Sequence, residues 1–332
     1  MKKIVFLVLI LSLFNSLSMA STIKNIEIYG HRGARGLAPE NSLPAYKTGL
    51  VIGIDYVDMD VHMTKDKVVV VTHDFTLNPD LTRDSNGQWI DPKTAPLIKD
   101  LAFSELHKYD IGRLKLGTEY SRSLPYQYPV DGTHISSLKQ VVDYVKKTGP
   151  ATIKYQVEIK TDPMHREWSF PVDELTNAVV NQLKKLNIDT KTELQAFDWS
   201  VLEIVQKLDP KIATAYLTDH EISCDMHSSD PHKAGLWSNG KLLKDYGNSI
   251  PRMITKLGGK IWGPESIELT ADLVKEAHSY GLKVVPWSAA QVDDTKEIAR
   301  LIDIGVDGII SDRPDVVRGL LAARGLRVPK TQ

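Results

Sequence analysis

The stretch Tyr56-Val57-Asp58-Met59-Asp60-Val61-His62-Met63-Thr64-Lys65-Asp66-Lys67-Val68-Val69-Val70-Val71-Thr72-His73-Asp74, written YVDMDVHMTKDKVVVVTHD, holds two strand-like runs split by the polar turn Thr64-Lys65-Asp66. A parallel neighbour needs a crossover of about a dozen residues. The run at 67–73 is therefore predicted to return antiparallel on the strand at 56–61. Asp58 and Asp60 stand two apart on that strand, so both carboxylates leave the same face.

Working outward, strands are predicted at 26–29, 155–159, 193–197, 212–217, 260–262, 283–287 and 307–311, which with 56–61 makes eight. Amphipathic stretches at 173–186, 200–208, 270–280 and 294–304 predict helices between the later ones. Repeated strand-helix units with eight strands predict an α/β fold, a (β/α)8 barrel. A doubly wound open sheet is the alternative, but no G-x-G-x-x-G opens a helix. In a barrel the hairpin strand at 67–73 lies above the mouth rather than in the wall. From Pro79 to about Thr133 the alternation gives way to Pro, Gly, Asp and Tyr, which predicts an inserted, loop-rich cap subdomain at about 79–133.

The chain has 332 residues, and 41 Lys and Arg balance 42 Asp and Glu, which argues against nucleic acid as a partner. Residues 1–20 run from Met1-Lys2-Lys3 through an apolar core to Ser18-Met19-Ala20, the pattern of a secretory signal peptide. The apolar core is shorter than the roughly 20 residues that span a bilayer. The expectation is an exported protein, periplasmic or secreted, with residues 21–332 as one domain and no stable membrane insertion. Cys224 is the only cysteine, so no internal disulfide forms, and no role is assigned to it.

Functional groups of a (β/α)8 barrel gather at the C-terminal ends of its strands. His31-Arg32, Asp58 with Asp60, His73-Asp74, and Glu158 with Lys160 all fall there. Three carboxylates inside a barrel admit two readings. A hard divalent cation, Mg²⁺ or Ca²⁺, sits among them, or they form a buried salt-bridge network with Arg32 and Lys160. His31 and His73 titrate near neutrality and suit acid/base work. Arg32 offers a fork for a phosphate and Lys160 a point charge. His62 shares the face of Asp58 and Asp60, and is read as a hairpin histidine meeting solvent or backbone rather than as an extra ligand. Asp219-His220-Glu221 and the group Cys224, Asp225, His227, Asp230 and His232 fit no zinc spacing and are read as a polar loop over the mouth. Among the aromatic residues that end or follow strands, Phe197 and Trp287 are candidate pocket residues.

HRG (31–33) with APENS (38–42), VDMDVHMTKD, VVVVTHD, VEIK and GVDGIISDRPD (305–315) resemble, in order, the successive motifs of the glycerophosphodiester phosphodiesterase family. The resemblance covers nearly the whole chain after residue 20. It implies that His31 and His73 are the acid/base pair, that Asp58, Asp60 and Glu158 hold one divalent cation, and that Arg32 and Lys160 contact the phosphate. It further implies that the insertion shapes the pocket for the alcohol, and that the reaction yields sn-glycerol 3-phosphate and an alcohol from a small-molecule phosphodiester. Two positions depart from the pattern. Asp58 stands where the family usually has glutamate, and Trp287-Ser288-Ala289-Ala290 is plainer than usual. Rival readings are a lysophospholipase D-like or sugar-phosphodiester hydrolase and, from another class, a non-catalytic periplasmic binding protein.

Overall fold

The computed structural model describes residues 25–228, 234–288 and 294–331. All eight predicted strands form, as β1 (Glu27–Gly30), β2 (Tyr56–Met63), β4 (Lys154–Ile159), β5 (Thr192–Ala196), β6 (Ala213–Thr218), β7 (Ile261–Pro264), β8 (Lys283–Val284) and β9 (Gly308–Ser311). They pair in parallel in the order β8-β7-β6-β5-β4-β2-β1-β9. Asp307 N donates to Val284 O at 2.9 Å and Ile310 N to Pro286 O at 3.1 Å, which joins the two ends into a ring. The hairpin strand β3 (Val69–Val71) returns antiparallel on β2 with Val61 opposite Val71 and Met63 opposite Val69. Its turn is held by Thr64 Oγ1 donating to Asp66 Oδ1 at 2.6 Å, with Lys67 in the left-handed region at φ 64°.

The four predicted helices appear at Val172–Lys185, Trp199–Leu208, Ala271–Ser279 and Thr295–Ile304. Three start at a side-chain cap: Asp198, Thr270 and Asp294 each accept an N–H of the first turn. Their apolar faces, with Val179, Leu202, Ala277 and Leu301 all buried, pack on the outside of the barrel.

Two expectations need correction. The run at 283–287 is a ladder strand only over two residues because Pro286 has no N–H to donate. It continues as the single bridge of Trp287 with Glu265. The polar loop expected from Asp219 onward is a helix, His220–His227, nucleated where Asp219 Oδ1 accepts the Ile222 N–H at 2.9 Å. Asp230 and His232, like the segment 1–20, lie outside the described residues. Among the described residues no helix is long and apolar enough to cross a membrane.

The inserted segment is loop-rich, as expected, with short helices at Phe103–Leu106 and Glu119–Ser123. Leu77, Leu81, Ile98, Leu106 and Ile111 form a small apolar cluster of their own, docked on Val70 of β3 and Ile135.

The strands' inward residues fill the barrel in layers. Near its N-terminal end, Lys283 Nζ lies 2.5 Å from Glu27 and 3.0 Å from Glu193. The hydroxyls of Tyr29 and Tyr56, whose rings stack at 4.1 Å, donate to the two oxygens of Glu193. This ionic plug replaces an apolar core layer, and its members depend on one another. Removing the ammonium leaves the buried Glu193 carboxylate without a cation, while Glu27 keeps Lys154 at 2.8 Å, so Lys283→Met is expected to cost about 3 kcal/mol. Urea unfolding at pH 7 measures it, and a loss under about 1 kcal/mol would mean the plug is not the stabilising unit described.

Candidate active site

The site begins with the loop after β1. A Cβ on Gly30 would lie 2.2 Å from Gly33 O, and one on Gly33, at φ 93°, would lie 2.7 Å from the Ala45 backbone. Only glycine at both positions lets the turn fold this tightly against the start of the helix Leu43–Ile52. Arg32 between them is also left-handed, at φ 47°, a conformation a bulky side chain rarely takes. It aims the Arg32 N–H at Asp58 Oδ2, 3.0 Å away. The next residues lock the result. Glu40 accepts from Arg32 Nη1 at 2.8 Å, Asn41 Nδ2 donates to Asp60 Oδ2 at 2.8 Å, and Ser42 caps the helix.

Asp60 joins three elements: Asn41 and Arg32 from the loop, and Lys160 Nζ, 3.1 Å away, from the end of β4. Lys160 also lies 2.5 Å from Glu158, the register partner across from which is Asp60 itself. Asp58 Oδ1 accepts from Gln195 Nε2 of β5 at 2.9 Å. The structure thus brings together Asp58, Asp60, Glu158, Arg32 and Lys160, all at least nine-tenths buried. Burial pushes the Asp58 and Glu158 carboxyls up, helped by the neighbouring Asp60 charge, with Glu158 reaching about 7. Asp60 feels the same burial, but Lys160 and Arg32 outweigh it and hold it well below the usual range.

In this conformation the carboxylates form the salt-bridge network, and among the described residues no three metal-ligand side chains stand gathered as a ready shell. The donor chemistry nevertheless fits a hard divalent cation. Among the described residues the ion pairs of Glu40, Asp60 and Glu158 run to Arg32 and Lys160, and Asp58 makes four carboxylates for these two cations when all are ionised. Gln195 Oε1, on the side chain bonded to Asp58, is buried without a hydrogen-bond partner among the described residues. An orphaned oxygen beside excess carboxylate is what such an ion would satisfy.

Both histidines are held by a carboxylate. His31 Nδ1 lies 2.5 Å from Asp312 Oδ1, and His73 Nδ1 lies 2.7 Å from Asp74 Oδ1. Asp312 also accepts from Arg35 Nε at 2.6 Å. Burial works against both carboxylates, yet Arg35 with His31 keeps Asp312 ionised and His73 keeps Asp74 ionised. The shared proton therefore resides on Nδ1, and each Nε2 is left as the free lone pair. Burial pushes His31 down to about 4, reinforced by Arg35; burial with Arg32 and Lys160 does the same to His73. Of the two contacts expected for His62, solvent or backbone, it makes the second. It is buried, with Nε2 3.0 Å from His73 O, where it props the segment carrying the catalytic candidate.

His31, Arg32, Arg35, His73, Glu158 and Lys160 line one cavity of about 350 Å³, together with Phe197 and Trp287, whose rings meet edge to face at 5.2 Å. Both aromatic candidates are thus in the pocket, whereas Trp199 is core. The insertion reaches this cavity through Tyr120, whose hydroxyl donates to Glu40, and Ser123. Glu40, Asn41, Arg35, Gln195 and Asp312 were not singled out from sequence. Glu40, Asn41 and Asp312 stand inside the quoted motifs, the one local signal for them, whereas Arg35 and Gln195 fall outside those motifs and act through Asp312 and Asp58, 277 and 137 residues away.

Residues 31–316 match the glycerophosphoryl diester phosphodiesterase family. A glycerophosphodiester phosphodiesterase of Caldanaerobacter subterraneus subsp. tengcongensis is 25% identical over 298 residues, covering 90% of this chain and 98% of the relative. One from Bacillus subtilis is 25% identical, covering 86% and 83%. Among solved structures, a Silicibacter pomeroyi protein assigned to the same enzyme class is 29% identical with a TM-score of 0.80, covering 91% of this chain and 95% of that one.

The depressed histidines link the site to stability. Between about pH 6.5, where an unfolded histidine protonates, and about pH 4, where His31 and His73 do so in the fold, the unfolded chain binds more protons. Unfolding free energy contributed by this pair is fully present above that window and falls as pH drops through it. Thermal melts from pH 7 to 4.5 should therefore show a smaller fall in Tm for His31→Gln/His73→Gln than for the wild type. Parallel pH profiles would contradict the assignment.

Proposed function

The chain belongs to the glycerophosphoryl diester phosphodiesterase family and is an enzyme of that class, and from that premise we propose that its site hydrolyses a glycerophosphodiester to sn-glycerol 3-phosphate and an alcohol with His31 and His73 as the acid/base pair. The observation that carries this is the matched pair of carboxylate-held imidazoles lining one cleft with Arg32 and Lys160. Arg32 and Lys160 bind the anionic phosphoryl oxygens, and Lys160 stabilises charge that grows in the transition state. One Nε2 removes the proton from the attacking hydroxyl, either the glycerol 2-hydroxyl or water. The other imidazole delivers a proton to the leaving oxygen. Both rings are neutral in the free protein, and the charge of the bound diester raises the pKa of whichever ring holds that proton. Asp312 and Asp74 keep each ring in the Nδ1–H tautomer throughout, the orienting role that a carboxylate plays beside a catalytic histidine.

Asp58, Asp60 and Glu158 would hold a divalent cation in this reading. When bound it supplies Lewis-acid neutralisation of phosphoryl charge. The shorter Asp58 side chain favours Ca²⁺, which accepts longer and less regular bonds than Mg²⁺. We further infer that the protein is exported and acts as a periplasmic or secreted enzyme, supported by the signal-like composition of residues 1–20. A binding protein without turnover has no need of two oriented bases.

Release of glycerol 3-phosphate from a panel of glycerophosphodiesters tests the reading. His31→Ala and His73→Ala should each lower kcat by about 10²-fold with little change in KM. Exhaustive chelation should reduce activity to background, and Ca²⁺ or Mg²⁺ should restore it. Near-wild-type kcat in either histidine variant would contradict the acid/base pair; full activity in metal-free protein would contradict the cation.

A further inference from the structure

The insertion holds the loop after β1 at several points. Tyr120, on the short helix Glu119–Ser123, packs its ring against the insertion's own apolar cluster and lines the cavity of the candidate site. Its hydroxyl meets three charged groups of that loop. It donates to Glu40 and stands 3.4 Å from Arg32 Nη1 and 3.5 Å from Arg35 Nη1. The two arginine contacts are long for hydrogen bonds, the usual condition of a site before substrate tightens it. A phenol oxygen has one proton to give and lone pairs to accept with, and here both capacities are engaged. Burial, together with the Glu40 charge, pushes the phenol well above its ordinary value, so the hydroxyl keeps the proton that Glu40 accepts. Arg32 and Arg35 repel one another, and the Tyr120 oxygen is a neutral acceptor shared by the two guanidiniums.

Arg35 is held at both ends. Its backbone oxygen accepts from Gln127 Nε2 of the insertion at 2.8 Å, and its Nε donates to Asp312 Oδ1 at 2.6 Å. That same oxygen lies 2.5 Å from His31 Nδ1. Sharing one acceptor couples the two donors: a guanidinium that moves changes the bond that orients the imidazole. The Arg35 side chain is long and rich in rotamers, and its fixed ends keep it in one of them. Two further contacts brace the same place. Tyr128 N donates to Leu37 O at 3.1 Å, and Arg313, next to Asp312, lies over the Tyr126 ring at 4.9 Å. Residues 120–128 thus touch both segments that meet at His31, the loop after β1 and the turn after β9. His73, by contrast, is oriented by Asp74, which Asn78 holds.

Resting on the phosphodiesterase reading above, we propose that Tyr120 and Gln127 are positioning residues for the reaction: they fix Arg35, and through Arg35 and Asp312 they set the orientation of the His31 imidazole. The insertion then belongs to the proton-transfer machinery as well as to the wall of the pocket. Neither side chain touches the reacting atoms. Their effect reaches the chemistry through one carboxylate oxygen, and it reaches His31 and not His73.

Tyr120→Phe keeps the ring in its apolar cluster and removes only the hydroxyl. In the glycerol 3-phosphate release assay it should lower kcat about 10-fold with KM within about 2-fold of wild type and Tm nearly unchanged. In a double-mutant cycle with Arg35→Lys, the combined loss should fall short of the product of the single losses, because the hydroxyl acts through Arg35. A second readout needs no turnover. The proton on His31 Nδ1, followed by NMR in the free full chain and assigned by its absence in His31→Gln, should shift or broaden in Tyr120→Phe and in Gln127→Ala, while the His73 Nδ1 proton stays in place. Wild-type kcat in Tyr120→Phe, single losses that multiply in full, or a His31 resonance unmoved in both variants would overturn the proposal. Failure of the phosphodiesterase reading shows separately, as a wild-type protein that releases no glycerol 3-phosphate, and the His31 resonance then still decides whether the insertion orients that ring.

Discussion

Everything at the mouth of this barrel depends on buried negative charge at Asp60. Its carboxylate is almost fully enclosed, so it stays ionised only because Asn41, Arg32 and Lys160 converge on it. Those three side chains come from the loop after β1 and the end of β4, and their convergence fixes the relative position of the two segments. The tight glycine turn, the left-handed Arg32 and the clamp by Glu40 all serve to deliver one guanidinium to one place. A group that must be compensated so completely leaves no freedom for the residues around it, and that rigidity is what a phosphate site requires.

The charge on the surrounding groups follows from this arrangement. Burial depresses both histidines, reinforced by Arg35 and Arg32 at His31 and by Arg32 and Lys160 at His73, while burial and the neighbouring Asp60 charge push Asp58 and Glu158 up. Pairs of titratable groups driven in opposite directions are characteristic of sites that move protons. In the proposed function the two neutral imidazoles serve as the acid/base pair, and the charge of the incoming diester lets one of them carry a proton.

Much of this was legible in the sequence. The eight strands, the antiparallel return at 67–73 and four helices follow from the sequence pattern, because strand runs recur with helical stretches between the later ones and crossover lengths are constrained. Asp58, Asp60, Glu158 and Lys160 were legible because spacing of two on a strand places side chains on one face. The failures have physical causes. Pro286 cut β8 short by removing a donor, and Asp219 turned an apparent polar loop into a helix by capping it. Asp312 and Gln195 lie 281 residues from His31 and 137 from Asp58, and no local pattern can report such a partner.

The central claim is that the two carboxylate-held histidines divide the proton transfers between them, and leaving-group dependence tests it most directly. Rates of His31→Ala and His73→Ala are compared on a glycerophosphodiester with an alkyl leaving group and on one with p-nitrophenol, which departs without protonation. The account predicts that one variant loses activity on the alkyl substrate but retains most of it on the nitrophenyl substrate, while the other loses both. Equal loss on both substrates in both variants would contradict the division of roles.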